Sequence, residues 1–127
     1  MSGVNNFYDL RVWQDAHKLV LEIYKITKDF PKEEKYGIID QLRRASSSIT
    51  ANIAEGFGRY HFKEKTRFYY QARGSLVEVQ NFLILSRDLD YLQKEEVEKM
   101  FLDCDSIIKQ LNSLVKSTNK LLIENDQ

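Results

Sequence analysis

From Val97 to Leu122 one side of the chain repeats every three or four residues: Val97, Met100, Phe101, Cys104, Ile107, Ile108, Leu111, Leu114, Val115, Thr118, Leu121 and Leu122. A near-heptad of this length commits the segment to a helix with one buried seam. A helix with a single apolar seam needs partners, and composition says what they are. Pro31 is the only proline, and there are five glycines in 127 residues, so long helices are favoured over a many-stranded β fold. The length suits one domain with a real core and is too short for two comfortable ones.

Three further helical patterns precede this one. The first is expected from an Asp9 N-cap to about Asp29, with Val12, Trp13, Ala16, Leu19, Val20, Ile23, Ile26 and Phe30 on a wide apolar face. FPKEEK interrupts it. The second resumes near Lys35 or Tyr36 with Ile39, Leu42, Ser46, Ile49 and Ile53 inward, and Gly56-Phe-Gly58 reads as a glycine C-cap. The third runs from about Phe62 to Leu89 through Phe68, Ala72, Leu76, Val79, Phe82, Leu83 and Leu85. Gly74 lies within it and predicts a close neighbour or a bend, because an interior glycine costs roughly 0.5–1 kcal/mol relative to alanine. Short linkers make consecutive helices antiparallel neighbours. The fold class is therefore all-α: an antiparallel up-down-up-down four-helix bundle, one domain over 1–127 with flexible tails at about 1–8 and 123–127. Helices of about 20–28 residues would make it roughly 30–42 Å long.

The second helix is unusual in its side chains. Its core line passes through Leu42, Ile49 and Ile53; one flank carries Gln41, Ala45, Ser48 and Asn52, the other Ser47, Thr50 and Ala54. Small residues let helices approach closely but bury little apolar area. A helix without a charged face usually has a second packing partner, either inside the monomer or in another subunit. The sequence pattern supports both about equally. A subunit contact is preferred because one bundle covers only one face.

Catalytic patterns are missing. His17 and His61 lack the spacing of a metal site, and the E-x-x-H pairs of di-iron bundles are absent, although Glu22, Glu55 and Glu78 could point inward. The lone Cys104 excludes an internal disulfide and a Cys-based zinc site, and it sits on an apolar stripe. Ser46-Ser47-Ser48 has no nucleophile elbow, and GFGR is too short for a phosphate loop. No catalytic, cofactor or metal residue is expected. The N-terminal MSGVNNFYDL lacks signal-peptide character, and the densest apolar run, Phe82–Leu85, is far below the roughly 18 residues of a membrane span. A cytoplasmic protein without a membrane partner is expected.

Net charge is zero, with 19 basic and 19 acidic residues, but its distribution is uneven. Between Arg43 and Arg73 seven cations face Glu55 and Glu64, whereas from Asp88 onward five lysines face nine acids. Within RYHFKEKTRFYYQAR, Arg59, Lys63, Lys65, Arg67 and Arg73 alternate with Tyr60, Phe62, Phe68, Tyr69 and Tyr70. Cations that neutralise phosphates beside rings that stack on bases make these five residues the candidate nucleic-acid contacts. Against that, helical aromatics are more often buried, and Phe68 is assigned to the core stripe.

Three segments in order, DLRVWQDAHKL, QLRRASSSITANIAEGFGR and ARGSLVEV, carry a resemblance that spans about Phe7 to Leu122. The chain resembles the bacterial four helix bundle proteins found in intervening sequences of 23S ribosomal RNA genes. They are also called S23 ribosomal proteins, and are related to the accessory variability determinant of diversity-generating retroelements. It departs from them at Thr50, where proline is frequent, and near His61, where a serine cap is frequent. The resemblance implies a homo-oligomeric ring, commonly a pentamer, and no catalytic activity. It also implies association with RNA, a reverse transcriptase or a ribosome-associated partner. Gln41, Arg44, Ser48, Asn52 and Glu55 fall in its motifs and are the candidate residues for a buried polar network fixing subunit register. Two functions follow: an oligomeric adaptor that binds RNA, or a ring that contacts only proteins.

Overall fold

The computed structural model describes residues 3–125, and among them no strand occurs. The helices are α1 (Arg11–Thr27), α2 (Ile38–Gly58), α3 (Phe62–Asp88) and α4 (Lys94–Asn125). Each packs on the next, and α4 returns against α1. Cross-helix pairs run antiparallel from α2 to α3 and from α3 to α4: Ser48 meets Ser75 while Gly56 meets Tyr69, and Arg73 meets Asn112 while Ile84 lies beside Phe101. The expected all-α, up-down-up-down bundle is the fold. Ile23, Leu42, Ile49, Leu76, Leu83, Met100, Ile107 and Leu111 fill its centre, fully enclosed. Each contributes roughly 1.5–3 kcal/mol by leaving water.

Helix lengths differ more than expected, from 17 residues in α1 to 32 in α4. Asp9 does not cap α1. Its carboxylate accepts from the amides of Asn5 and Asn6 and closes a 3-10 turn over Phe7–Asp9, so α1 begins two residues later. The expected flexible tails lie partly outside the described residues, at 1–2 and 126–127; α4 itself continues to Asn125.

At one end of the bundle, the Glu34 carboxylate accepts from the Ile38 amide that opens α2 and from the Tyr91 hydroxyl of the α3–α4 loop. Phe30 packs against Tyr91 with the rings tilted by 51°, 5.3 Å between their centres. Asp90 makes that loop turn with a positive φ of 64°, a conformation Asp tolerates better than most residues.

Three readings of the sequence are corrected. The stretch Gly56-Phe-Gly58 does end α2, at Gly58, but Gly56 is buried within the helix rather than capping it, and a Cβ there would sit 2.7 Å from Tyr69 Cε1 and 3.0 Å from Phe68 Cβ. Gly74 has no close neighbour: a Cβ there meets nothing within 4 Å. On α3, Tyr69 is buried and Phe68 only half-buried. Ala72, Leu76, Val79 and Leu83 set the phase of the stripe, and counting back three residues from Ala72 reaches 69, whatever the relative hydropathy of the two rings.

Candidate nucleic-acid interface

The cations between Arg43 and Arg73 divide into those held by the fold and those left to solvent. Arg43 donates through Nε to Thr27 Oγ1 at 2.9 Å and through Nη2 to Tyr24 O at 3.3 Å, with its guanidinium 4.6 Å from the Tyr24 ring centre. It thereby caps the C-terminus of α1, where the helix dipole favours positive charge. Lys65 does the same for α2: its Nζ donates to Phe57 O at 2.7 Å and Gly56 O at 3.4 Å. Partial burial pushes the Lys65 pKa down. Arg44 pairs with Asp40 at 2.8 Å. Arg59 pairs with Glu55 at 3.0 Å and Glu64 at 3.7 Å, lies over the Phe68 ring, and keeps a buried Nε without a hydrogen-bond partner.

Of the five candidate nucleic-acid contacts, Arg59 and Lys65 are therefore built into the α2–α3 turn. Lys63, Arg67 and Arg73 remain, and among the described residues none of the three forms an ion pair with a carboxylate. Lys63 and Arg67 are exposed one turn apart near the start of α3. Arg73 lies against α4, where its Nη1 donates to Asn112 Oδ1 at 2.6 Å and its guanidinium covers the Tyr70 ring at 4.8 Å.

That contact opens onto a groove of about 520 Å³ between α3 and α4, in which Arg73 and Tyr70 face Lys116, Asn119 and Lys120. The lining contains no carboxylate. A second hollow, about 560 Å³, lies at the same end of the bundle between Tyr60, His61, Lys63 and Asn125. Taking Asp88 to the C-terminus as one acidic block hides Lys116 and Lys120. The signal was present: seven of its acids lie between Asp88 and Asp105, and Lys109, Lys116 and Lys120 all follow. Antiparallel pairing brings that later, basic half of α4 alongside the basic start of α3.

The five α2 residues assigned to a polar network share one face of that helix but do not form one network within the subunit. Ser48 and Asn52 are joined, with Asn52 Nδ2 donating to Ser48 Oγ at 3.0 Å and Ser75 Oγ donating to Ser48 Oγ at 3.0 Å. Arg44 and Glu55 pair with Asp40 and Arg59 instead, and Gln41, Arg44 and Glu55 are exposed. Much of the flank that carries Ala45, Ser48 and Asn52 faces α3. Its small size brings α2 and α3 together inside the monomer.

Elsewhere the reactive side chains are occupied or enclosed. Cys104 is fully buried, and burial, reinforced by Asp103 and Asp105, pushes its thiol up to about 12. His17 stacks on Trp13 with ring centres 4.7 Å apart. His61 precedes α3 without a side-chain capping bond and meets the edge of Tyr60. Among the described residues, no group of three or more His, Cys, Asp or Glu side chains is arranged to hold a metal ion. No helix among them is long and apolar enough to cross a membrane.

The profile of a protein family described as 23S rRNA-intervening sequence protein matches residues 8–113. Among solved structures, the chain is similar to a protein with unknown function from the S23 ribosomal protein family of Bacteroides thetaiotaomicron VPI-5482. The TM-score is 0.76 and the identity 24%, covering 83% of this chain and 95% of that one. At that identity the likeness concerns the fold. No curated protein matches the chain.

Proposed function

Because this chain belongs to the 23S rRNA-intervening sequence protein family, we propose that it is a non-enzymatic oligomeric adaptor whose α3–α4 groove holds RNA, or the RNA of a ribonucleoprotein partner. One observation carries the reading: Arg73, Lys116 and Lys120 converge on a groove with no carboxylate in its lining. Net charge is zero, so attraction is local to this face. An anchored guanidinium offers a planar fork to phosphate, and each neutralised phosphate releases counterions. A reverse transcriptase or a ribosome-associated protein in the bacterial cytoplasm is the partner class in keeping with that role.

Assembly rests on the outward line of α2. Gln41, Ala51 and Gly58 lie exposed along it, and its charged members Arg44 and Glu55 are each neutralised by a neighbour one turn away. Such a strip meets another surface at little desolvation cost. The proposed state is a closed homo-oligomer, five subunits in the preferred form, since a heterologous contact that does not close grows into filaments. A ring repeats the groove around its axis, so weak sites act together. Light scattering after size exclusion tests this directly. A 15.0 kDa species across micromolar concentrations rejects it.

For the RNA reading, labelled structured RNA is titrated at low and moderate salt. Binding should tolerate sequence changes and weaken steeply with salt. The double change Lys116→Glu with Lys120→Glu should abolish it while the oligomer persists. A ring that contacts only proteins is the competing reading, favoured by Val77, Ile84 and Leu102, which stand exposed on the other half of the α3–α4 face. It prevails if the wild-type protein binds no RNA even at low salt.

A further inference from the structure

Resting on the nucleic-acid reading above, we infer that the α3–α4 groove is a site for unpaired strands, in which Tyr70 stacks on a base while Arg73, Lys116 and Lys120 hold the flanking phosphates. Tyr70 is 45% exposed although it lies in a groove beside the half-enclosed Arg73. The Arg73 guanidinium sits 4.8 Å from its ring centre and is itself fixed by Asn112 Oδ1 at 2.6 Å. The ring is thus held in place by a cation that is held in turn. An immobilised aromatic ring with one face covered by a cation and area still exposed is a stacking platform for a nucleobase on its other face.

The opposite wall supplies the charges at a suitable spacing. Lys116 and Lys120 are one helical turn apart, about 6 Å along the axis, close to two steps of a stacked strand at roughly 3.4 Å each. Asn119 stands between them in sequence and offers an amide to base edges. A second ring continues the track. Tyr60, 88% exposed, borders the hollow that contains Lys63 and Asn125. Phe62, which lines the same hollow, precedes Tyr70 by about 12 Å along α3, room for about four stacked nucleotides.

A duplex keeps its base faces inside its own stack, so it would meet the projecting lysines and leave Tyr70 without a role. Charge alone therefore predicts no preference between paired and unpaired strands, whereas this groove predicts one. The contacts are to base faces and phosphates, with no side chain assigned to a 2′-hydroxyl, so RNA and DNA strands are both substrates.

Fluorescence anisotropy at low salt separates these cases, using the full-length protein with a labelled twelve-nucleotide oligouridylate, the thymidylate DNA of equal length, and a twelve-base-pair RNA duplex. The single strands should bind about tenfold more tightly than the duplex. Tyr70→Ala should cost the single strands about tenfold and leave the duplex unchanged, while Tyr70→Phe retains full affinity. Equal binding of strand and duplex, or an indifferent Tyr70→Ala, overturns the stacking site and leaves a charge-only RNA surface standing. Binding of the RNA strand but not the DNA strand overturns it in favour of sugar recognition. Absence of binding to all three removes the nucleic-acid reading and this inference together.

Discussion

Helix α3 packs on two neighbours, and the two contacts are built on different plans. Against α2 each contact has a small partner: Gly56 lies under Tyr69, and Ser48 bonds Ser75. Against α4 the meeting residues are long: Arg73 reaches Asn112, and Tyr70 stands beside Lys116. Axis separation follows the size of the side chains between two helices. The first seam closes, and the cations around it, Arg59 and Lys65, become part of the turn that seals it. The second stays open as a groove, in which Arg73 is anchored by Asn112 while Lys116 and Lys120 stand exposed to a ligand. The lesson is that a basic residue's availability depends on how closely its helices pack as much as on its charge.

Changes at the closed seam should have the largest effect on stability. Gly56→Ala places a methyl 2.7 Å from a buried Tyr69 ring atom, and overpacking of that kind costs about 1–3 kcal/mol. Thermal melting should show a fall of several degrees. RNA titration of the folded variant in the cold should match wild type. An unchanged melting temperature would mean that the seam is looser than described.

Alkaline titration examines the same seam without changing its shape. Burial pushes the Tyr69 hydroxyl from 10.0 up to about 12, so the folded state favours the neutral phenol. A raised folded pKa contributes stability that is fully present below the unfolded value and is lost as pH rises through the folded one. Tyr69 therefore destabilises the fold progressively between pH 10 and about 12. Cys104, raised from 9.0 to about 12, acts in the same direction from a lower starting pH. Melting temperatures should decline across that window, less steeply in Tyr69→Phe. Identical pH profiles for the two proteins would show that Tyr69 is already open to water.

Lysine replacements compare the seams directly. Lys65→Met removes a cation from the end of α2, a change expected to cost about 1 kcal/mol with RNA affinity within twofold of wild type. Lys116→Met should do the opposite: stability within about 0.5 kcal/mol, and RNA binding weakened. Chemical denaturation and anisotropy on the same pair decide it. If both lysines affect RNA equally, the division into held and available cations fails.

The mildest expected change is at Gly74, where an added Cβ meets open space. Gly74→Ala should stabilise the protein by about 0.5–1 kcal/mol through helix propensity. A lower melting temperature there would reveal a neighbouring subunit pressed against that turn.

Four helices, their antiparallel order and most of the buried positions were legible in the sequence, because each rests on local periodicity and short connections. The stripe of Val97, Met100, Cys104, Ile107 and Leu111 is buried as its spacing requires. Helix ends were less legible: Asp9 carries the composition of an N-cap, and only the folded turn shows its carboxylate serving Asn5 and Asn6. Of the groove's proposed contacts, Arg73 could be named from its charge and position. That Arg59 and Lys65 are occupied could not, since Glu55, Glu64, Gly56 and Phe57 hold them by geometry formed when the α2–α3 turn closes.

By itself, then, the sequence determined a charge-neutral chain that must bury four apolar stripes against one another, since periodicity and turn residues act within a few positions. Tertiary structure decided which glycine is crowded and which lysines converge on Arg73. Crowding and convergence are properties of residues brought together from some 40 positions away, as Arg73 and Asn112 are, and the distance between two helices is set by the side chains of both.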